Sequence, residues 1–123
     1  MAPPSFFGGY MTSVELPWPP SVLSPNNRSH WGRKSDARKK YKADCILLSR
    51  HKSPLFRDGK INVKITFFPP NNRSRDMDNM LASIKAGLDA VAQAWGVDDS
   101  RFVLTLDVGA AVKHGAVRVE ASQ

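Results

Sequence analysis

The chain is organised around the stretch from Arg73 to Arg101, with the sequence RSRDMDNMLASIKAGLDAVAQAWGVDDSR. It holds five of the eleven acidic residues of a protein whose formal net charge is +7. Carboxylates bind hard divalent cations through oxygen, and basic residues hold phosphates. An acidic segment in a basic chain is therefore what a metal-dependent enzyme acting on a polyanion needs. The five acidic residues are Asp76, Asp78, Asp89, Asp98 and Asp99.

Apolar residues recur at helical spacing in this stretch and predict a helix over residues 79–95 with one buried stripe. Asp76 or Asp78 is a natural N-cap, and Gly96 is a natural stop. We expect the chain to turn after Gly96 and to start a strand that runs antiparallel to the helix. The stripe consists of Leu81, Ile84, Leu88, Val91 and Trp95.

Each acidic feature also has a purely structural interpretation. An Asp-x-Asp sequence before a helix commonly serves as a cap. A Lys85–Asp89 pair at i,i+4 is usually a solvated ion pair that contributes about 0.2–0.5 kcal/mol, and two adjacent aspartates are common in turns. The order of these features along the chain is what favours a functional site.

That ordered combination resembles the RusA family of Holliday-junction resolvases, which are small prophage-type endodeoxyribonucleases. The family's opening strand and turn are matched near the start, and the resemblance covers about residues 14–123. The matching central motifs are Arg75-Asp76-Met77-Asp78-Asn79, Lys85-Ala86-Gly87-Leu88-Asp89 and Asp98-Asp99. The matching opening is Leu16-Pro17-Trp18-Pro19-Pro20-Ser21, followed by Asn26-Asn27-Arg28.

The resemblance implies hydrolysis of phosphodiester bonds in branched DNA such as four-way junctions, in recombination and repair, by a homodimer. It implies Mg²⁺ or Mn²⁺ held by Asp76, Asp78 and Asp99, with Asp98 as an alternative to Asp99. Lys85 is implied as a further catalytic residue. We favour a metal site within one subunit, because Gly96 lets the chain fold back. The alternative is that the Asp98-Asp99 pair of one subunit completes the site of its partner.

Residues 28–42 are the most basic stretch of the chain and predict phosphate contacts. We expect a helix that begins at Ser35 or Asp36, ends near His51 and buries a side formed by Tyr41, Cys45, Leu48 and Ala37. Trp31 is a candidate for stacking on a base. His30 is either a proton donor or a surface residue without a role. The expected DNA-binding residues are Arg73, Arg75, Asn27, Arg28, Trp31, Arg33, Lys34, Arg38, Lys39 and Lys40.

Length and composition predict one domain, which we place at residues 12–123 after a poorly ordered extension over residues 1–11. The resemblance implies that this domain is a RusA-like nuclease. The single cysteine, Cys45, excludes an intrachain disulfide and fits a cytoplasmic protein. The sequence contains no cysteine and histidine spacing typical of zinc. It also contains no apolar run near the ~20 residues of a membrane span, so we expect no membrane partner.

The predicted fold class is α/β (α+β), with a small mixed sheet of about four strands and two main helices in the order β-α-β-α-β-β. The predicted strands are residues 13–16, 60–68, 102–108 and 116–121. Two other functions remain open at this point. One is a non-catalytic nucleic-acid-binding protein, and the other is a metal-dependent phosphohydrolase that acts on a small substrate.

Overall fold

A computed structural model describes residues 11–52 and 54–123. The predicted mixed α+β class and the order β-α-β-α-β-β are confirmed. The expected poor order of residues 1–11 lies outside the described residues, except for Met11. The elements are β1 (Thr12–Pro17), α1 (Trp31–Ser49), β2 (Ile61–Phe68), α2 (Met77–Trp95), β3 (Phe102–Val108) and β4 (Ala116–Ser122), with short 3-10 turns at Ser21–Leu23, Arg50–Lys52 and Asp99–Arg101.

The four strands form one sheet in the order β1-β4-β2-β3. β4 is antiparallel to both of its neighbours, whereas β2 and β3 are parallel. Successive side chains of a strand point to opposite faces, so the predicted alternation in β2 places one apolar set on the helix side of the sheet. The buried residues of β2 are Ile61, Val63, Ile65 and Phe67, and Val117 and Val119 of β4 are buried with them.

α2 connects the end of β2 to the start of β3 and therefore returns along the sheet in the opposite direction. It begins at Met77, two residues earlier than predicted, and ends where predicted, at Gly96 in the left-handed conformation (φ 69°). Leu81 of the predicted stripe is half-buried, while the other four members are fully buried. The helix continues through Gly87, where an added Cβ would lie 3.1 Å from Tyr41 and 3.2 Å from Leu16.

α1 begins at Trp31, earlier than expected, and its N-cap is His30 in place of Ser35 or Asp36. The imidazole Nδ1 of His30 accepts a hydrogen bond from the backbone N–H of Gly32 at 3.1 Å. The buried face of α1 is centred on Cys45, so Leu48 falls at its margin. The prediction that Leu48 is buried was wrong, because 47% of its surface is exposed.

One side-chain hydrogen bond ties α1 to the sheet, and another lies within the helix. The Tyr41 hydroxyl donates to the backbone oxygen of Pro17 at 2.5 Å and ties α1 to the end of β1. The buried Ser49 hydroxyl donates to the backbone oxygen of Cys45 at 2.8 Å, so its polar atom is satisfied.

No helix of the described ranges, 11–52 and 54–123, is both long and apolar enough to cross a bilayer.

β3 lies at one edge of the sheet, and the helices do not fully cover it. In register, Leu104 and Val108 stand beside the buried Val63 and Phe67, yet they are 40% and 46% exposed. Val103, on the opposite face of β3, is 41% exposed. A sheet edge with open backbone groups and apolar side chains is a template for pairing with another chain.

Candidate active site

The two aspartates at the start of α2, Asp76 and Asp78, are exposed. Asp76 occupies the N-cap position with extended backbone angles, but its carboxylate makes no capping hydrogen bond. Asp78 lies in the first turn of the helix. Neither carboxylate has a hydrogen bond or an ion pair with another side chain among the described residues. The capping interpretation of this Asp-x-Asp sequence is therefore not realised in hydrogen bonds.

The loop before α2 carries two arginines, Arg73 and Arg75, just ahead of these aspartates in the sequence. Arg75 donates to the backbone oxygens of Asn71 and Arg73 at 3.2 and 3.0 Å, and to Asn71 Oδ1 at 3.0 Å. The same guanidinium carbon lies 5.5 Å from the ring centroid of Trp18. Arg75 is thus fixed by its own loop, whereas the side chain of Arg73 is exposed. Arg73 is the more available of the two for a phosphate.

A second acidic group lies at the far end of α2. Asp98 accepts a hydrogen bond from the backbone N–H of Ser100 at 2.9 Å and caps the 3-10 turn that follows. The hydrogen bonds from Ser100 lower the pKa of Asp98. Burial and the neighbouring Asp99 carboxyl raise the pKa of Asp89, while nearby Lys85 and Lys42 oppose that shift. Asp89 therefore lies near both Asp99 and Lys85.

The two acidic groups do not meet within one chain. α2 has 19 residues and is about 28 Å long at 1.5 Å per residue. Its start carries Asp76 and Asp78, and the turn with Asp99 follows its other end. Among residues 11–52 and 54–123, no three Asp, Glu, His or Cys side chains converge to hold a metal ion. The expected convergence of Asp76, Asp78 and Asp99 inside one subunit is therefore not found.

Lys85 lies between these two groups, on the side of α2 that faces α1. Together with Arg38 and Asp89 it lines a pocket of about 280 Å³. In the described part of the chain, Lys85 and Asp89 do not approach closely enough to form an ion pair. The interpretation of Lys85 and Asp89 as an i,i+4 ion pair is therefore not realised in these residues.

The predicted DNA-binding cations lie mainly on exposed parts of α1 and of the loop before it. Arg28, Arg33, Arg38 and Lys39 are exposed, and Lys34 is half-buried. Lys40 is exposed but forms an ion pair with Asp44 at 3.1 Å, a contact that weakens its availability. The side chain of Asn27 accepts from the backbone N–H of Ser29 at 2.8 Å and shapes the loop.

The aromatic pair at the start of α1 is displayed to solvent. Trp31 is 75% exposed and stacks on His30, with ring centroids 5.8 Å apart and an interplanar angle of 30°. The indole is thus accessible to solvent, and its stacking on a base stays a prediction. His30 serves as the N-cap of α1, a role that was not predicted from the sequence.

A pocket of about 480 Å³ opens beside Asp76 and was not identified from the sequence. It lies between the proline-rich loop after β1, the loop after β2 and the first turns of α2. Its lining includes Trp18, Asn26 and Asn79. The sequence signal that could have indicated it is the proline-rich motif itself, since four prolines around Trp18 and Asn26 predict a stiff loop.

Exposed carboxylates flanked by cations, with a basic helix nearby, are typical of a protein that binds a polyanion. An uncharacterized protein of Xylella fastidiosa (strain Temecula1) is 41% identical over 97 residues, which cover 76% of this chain and 63% of that protein. The crossover junction endodeoxyribonuclease RusA of Enterobacteria phage HK97 is 30% identical over 95 residues, which cover 71% of this chain and 72% of the phage protein. No protein-family model matches the sequence. The match to the phage protein shows that the chain belongs to the RusA-like family.

Proposed function

We propose that this protein is a metal-dependent endodeoxyribonuclease that hydrolyses phosphodiester bonds in branched DNA, including four-way junctions, during recombination and repair. The observation that carries the proposal is the pair of exposed carboxylates, Asp76 and Asp78, which have no hydrogen bond or ion pair within residues 11–52 and 54–123, together with the exposed Arg73, which lines the same pocket as Asp76, in a RusA-like chain. Carboxylates that neither cap nor pair are available for a cation, and the nearby guanidinium is available for a phosphate.

The donor set at the start of α2 suits Mg²⁺ or Mn²⁺, which prefer carboxylate and water oxygens. Asp76 and Asp78 would hold the ion from one chain. A metal bound there supplies Lewis-acid activation of water and offsets charge on the phosphate. With two carboxylate ligands from Asp76 and Asp78, the ion could take a third carboxylate ligand. We assign this ligand to Asp99 in preference to Asp98, because Asp98 already accepts the hydrogen bond that caps the turn.

We propose that the third carboxylate comes from a second copy of the chain. Within one chain, Asp99 precedes β3, while Asp76 follows the opposite end of the parallel strand β2. Antiparallel pairing of two β3 edges reverses one copy and moves its Asp99 toward the end of the sheet where Asp76 lies. The exposed Leu104 and Val108 on β3 are apolar surface that such a homodimer would cover.

The cations around this site are proposed to hold the substrate. Arg73 and the basic face of α1 would contact phosphates, which positions DNA without reading its sequence. Trp31 would stack on an unpaired base. Lys85 lies seven positions after Asp78, or about 10 Å along the helix, and would contact a neighbouring phosphate together with Arg38, with which it shares a small pocket.

One observation favours a second candidate, a non-catalytic nucleic-acid-binding protein. The separation of Asp76 and Asp78 from Asp99 in a single chain leaves no complete metal site among the described residues. In that alternative the basic helix α1 binds DNA, and the aspartates only shape the ends of α2. The two candidates differ in whether the protein cuts DNA.

The test is cleavage of a synthetic four-way junction in Mg²⁺, in Mn²⁺ and in EDTA. We expect cleavage only with metal, and loss by more than about 100-fold in Asp76→Asn and Asp78→Asn, since even outer-shell partners of a metal site cost 10–100-fold. Junction binding without metal should persist, because it rests on cations. Asp58→Asn, at an exposed loop aspartate, is the matched control. Metal-independent binding without cutting by the wild type would favour the second candidate.

A further inference from the structure

Two sequence motifs have no task in the metal site or in the phosphate contacts. One is the proline-rich segment Pro17-Trp18-Pro19-Pro20-Ser21, and the other is Asn79, which ends the motif around Asp76 and Asp78. Residues of both motifs line the same pocket of about 480 Å³, and Asp76 lines it as well. The pocket therefore joins the unexplained motifs to the proposed chemistry.

One wall of the pocket is aromatic and is held rigidly. Trp18 meets the buried Phe67 edge to face, with ring centroids 6.1 Å apart, and the Arg75 guanidinium lies 5.5 Å from its ring centroid. Behind it, a Cβ added at Gly115 would come within 2.9 Å of Trp18 Cβ. Trp18 is thus held on several sides, and its half-buried ring forms, with the planar guanidinium over it, one preorganised wall of the pocket.

Other parts of the lining are polar and uncommitted. The side-chain amides of Asn26 and Asn79 have no hydrogen-bond partner within the described ranges. Each amide offers both a donor and an acceptor, which is what the edge of a nucleobase requires. The exposed Arg73 lines the pocket as well, where it can take a phosphate attached to the same nucleotide.

We propose that this pocket receives one unpaired nucleobase from the nucleotide next to the phosphodiester that is cleaved. The inference rests on the proposed nuclease function and adds a specificity site to it. The pocket's volume exceeds that of one base and falls within the range of small-ligand sites. Base pairs at the crossover of a branched DNA open more readily than those inside a duplex, so a base can leave its stack at low cost. Trp18 replaces the lost stacking, and the two amides read the exposed edge.

The first experiment maps cleavage positions on a pool of four-way junctions with randomised sequence at the crossover. Asn26→Ala and Asn79→Ala should each reduce the base preference at one position beside the cut by about tenfold, the loss expected for one base-reading hydrogen-bond pair. Asn72→Ala, an exposed amide in the loop before α2 that does not line the pocket, should leave the preference unchanged. Preference is scored separately from overall rate, so a general loss of activity does not mimic the effect.

The second experiment needs no cleavage. Each of the four deoxynucleoside 5′-monophosphates is titrated into the wild-type protein, with deoxyribose 5-phosphate as the control that lacks a base. NMR shifts of the Trp18 indole N–H and of the Asn26 and Asn79 amides should be at least about twofold larger with at least one nucleotide than with the sugar phosphate. Equal shifts with and without a base overturn the base pocket.

The two experiments separate the two claims. Cleavage by the wild type with an unchanged base preference in Asn26→Ala and Asn79→Ala refutes the base pocket and leaves the nuclease function standing. Base-dependent shifts in a wild-type protein that cuts no junction refute the nuclease function and support the pocket as a nucleobase site.

Discussion

The most informative residue is Asp76, because its position predicts a helix cap whereas its hydrogen bonding shows none. It stands where a capping residue stands, yet its carboxylate caps nothing. Asp98, in contrast, accepts a hydrogen bond from Ser100 and caps a short turn. Two aspartates with similar sequence surroundings thus have different tasks, a difference that spacing alone does not reveal.

This difference predicts unequal effects on stability. Asp76→Ala should lower the free energy of unfolding by less than about 0.5 kcal/mol, because no side-chain hydrogen bond is removed, although a good N-cap typically contributes about 1 kcal/mol. Asp98→Ala should cost more than Asp76→Ala, because its backbone partner is left without an acceptor. Urea denaturation of both variants measures this. A larger decrease in Asp76→Ala than in Asp98→Ala would restore the capping interpretation.

Cys45 provides a second residue-scale prediction, based on its environment in the core. Burial raises the pKa of the Cys45 thiol from 9.0 to about 11. A raised folded-state pKa contributes stability that is complete below pH 9 and is lost as pH rises through about 11, because the unfolded thiol ionises first. Burial raises the pKa of Tyr41 in the same direction.

We therefore expect unfolding free energy to fall between pH 9 and 11, with a shallower fall in Cys45→Ala. Iodoacetamide should label Cys45 slowly at pH 8 in the native protein and rapidly in urea, because the thiol is fully buried. Denaturant titrations at several pH values in this range give the unfolding free energy of the wild type and of Cys45→Ala. The slope of that free energy against pH is then compared between the two proteins. Equal slopes in the two proteins would contradict the assignment to Cys45.

At the scale of elements, the sequence predicted those parts that local pattern controls. α2 was found because its apolar stripe and Gly96 are local signals, and β2 was found by its alternation. The start of α1 was missed because histidine is an uncommon cap, and His30 acts through its ring nitrogen. The incomplete covering of β3 was not predictable, because the edge of a sheet is decided by how distant segments assemble.

The candidate site was likewise predictable only where local sequence pattern controls it. The aspartates and cations were identified as residue types in an ordered pattern. The separation of Asp76 and Asp78 from Asp99 depends on the length of α2, which the sequence also indicated. The proximity of Asp89 to Asp99 depends on the turn that follows the helix. The pocket at Trp18 is lined by segments that are distant in sequence, so no single motif predicts it.

The basic face of α1 carries the element-scale prediction. Replacing Arg38, Lys39 and Lys40 with glutamine should weaken junction binding and flatten its salt dependence, by about 0.9 in slope for each duplex phosphate that is no longer neutralised. Lys40 should contribute least, because it already pairs with Asp44. Binding measured across a salt series gives the slope, and a Lys60→Gln, Lys113→Gln variant is the control. An unchanged slope in the triple variant would place α1 away from DNA.

At the scale of the whole molecule, one chain carries the residues of the proposed metal site at two distant places. α2 separates Asp76 and Asp78 from Asp99, and the parallel arrangement of β2 and β3 keeps them at opposite ends of the sheet. The proposed symmetric dimer through the exposed edge of β3 would remove this separation, because a two-fold axis would bring the start of one copy's α2 toward the turn of the other. The same two-fold symmetry suits a substrate with two cleavage positions.

The most direct measurement mixes two inactive variants, Asp76→Asn and Asp99→Asn, after unfolding and refolding them together so that subunits exchange. In a site shared between chains, each mixed dimer has one site with both changes and one with neither. About a quarter of all sites are then intact, since about half of the dimers are mixed. We predict that this mixture regains nicking of a four-way junction in Mg²⁺, near a quarter of the wild-type rate, while each variant alone stays inactive. A mixture as inactive as its components, with subunit exchange verified by mass spectrometry and the wild type active, would contradict the shared site.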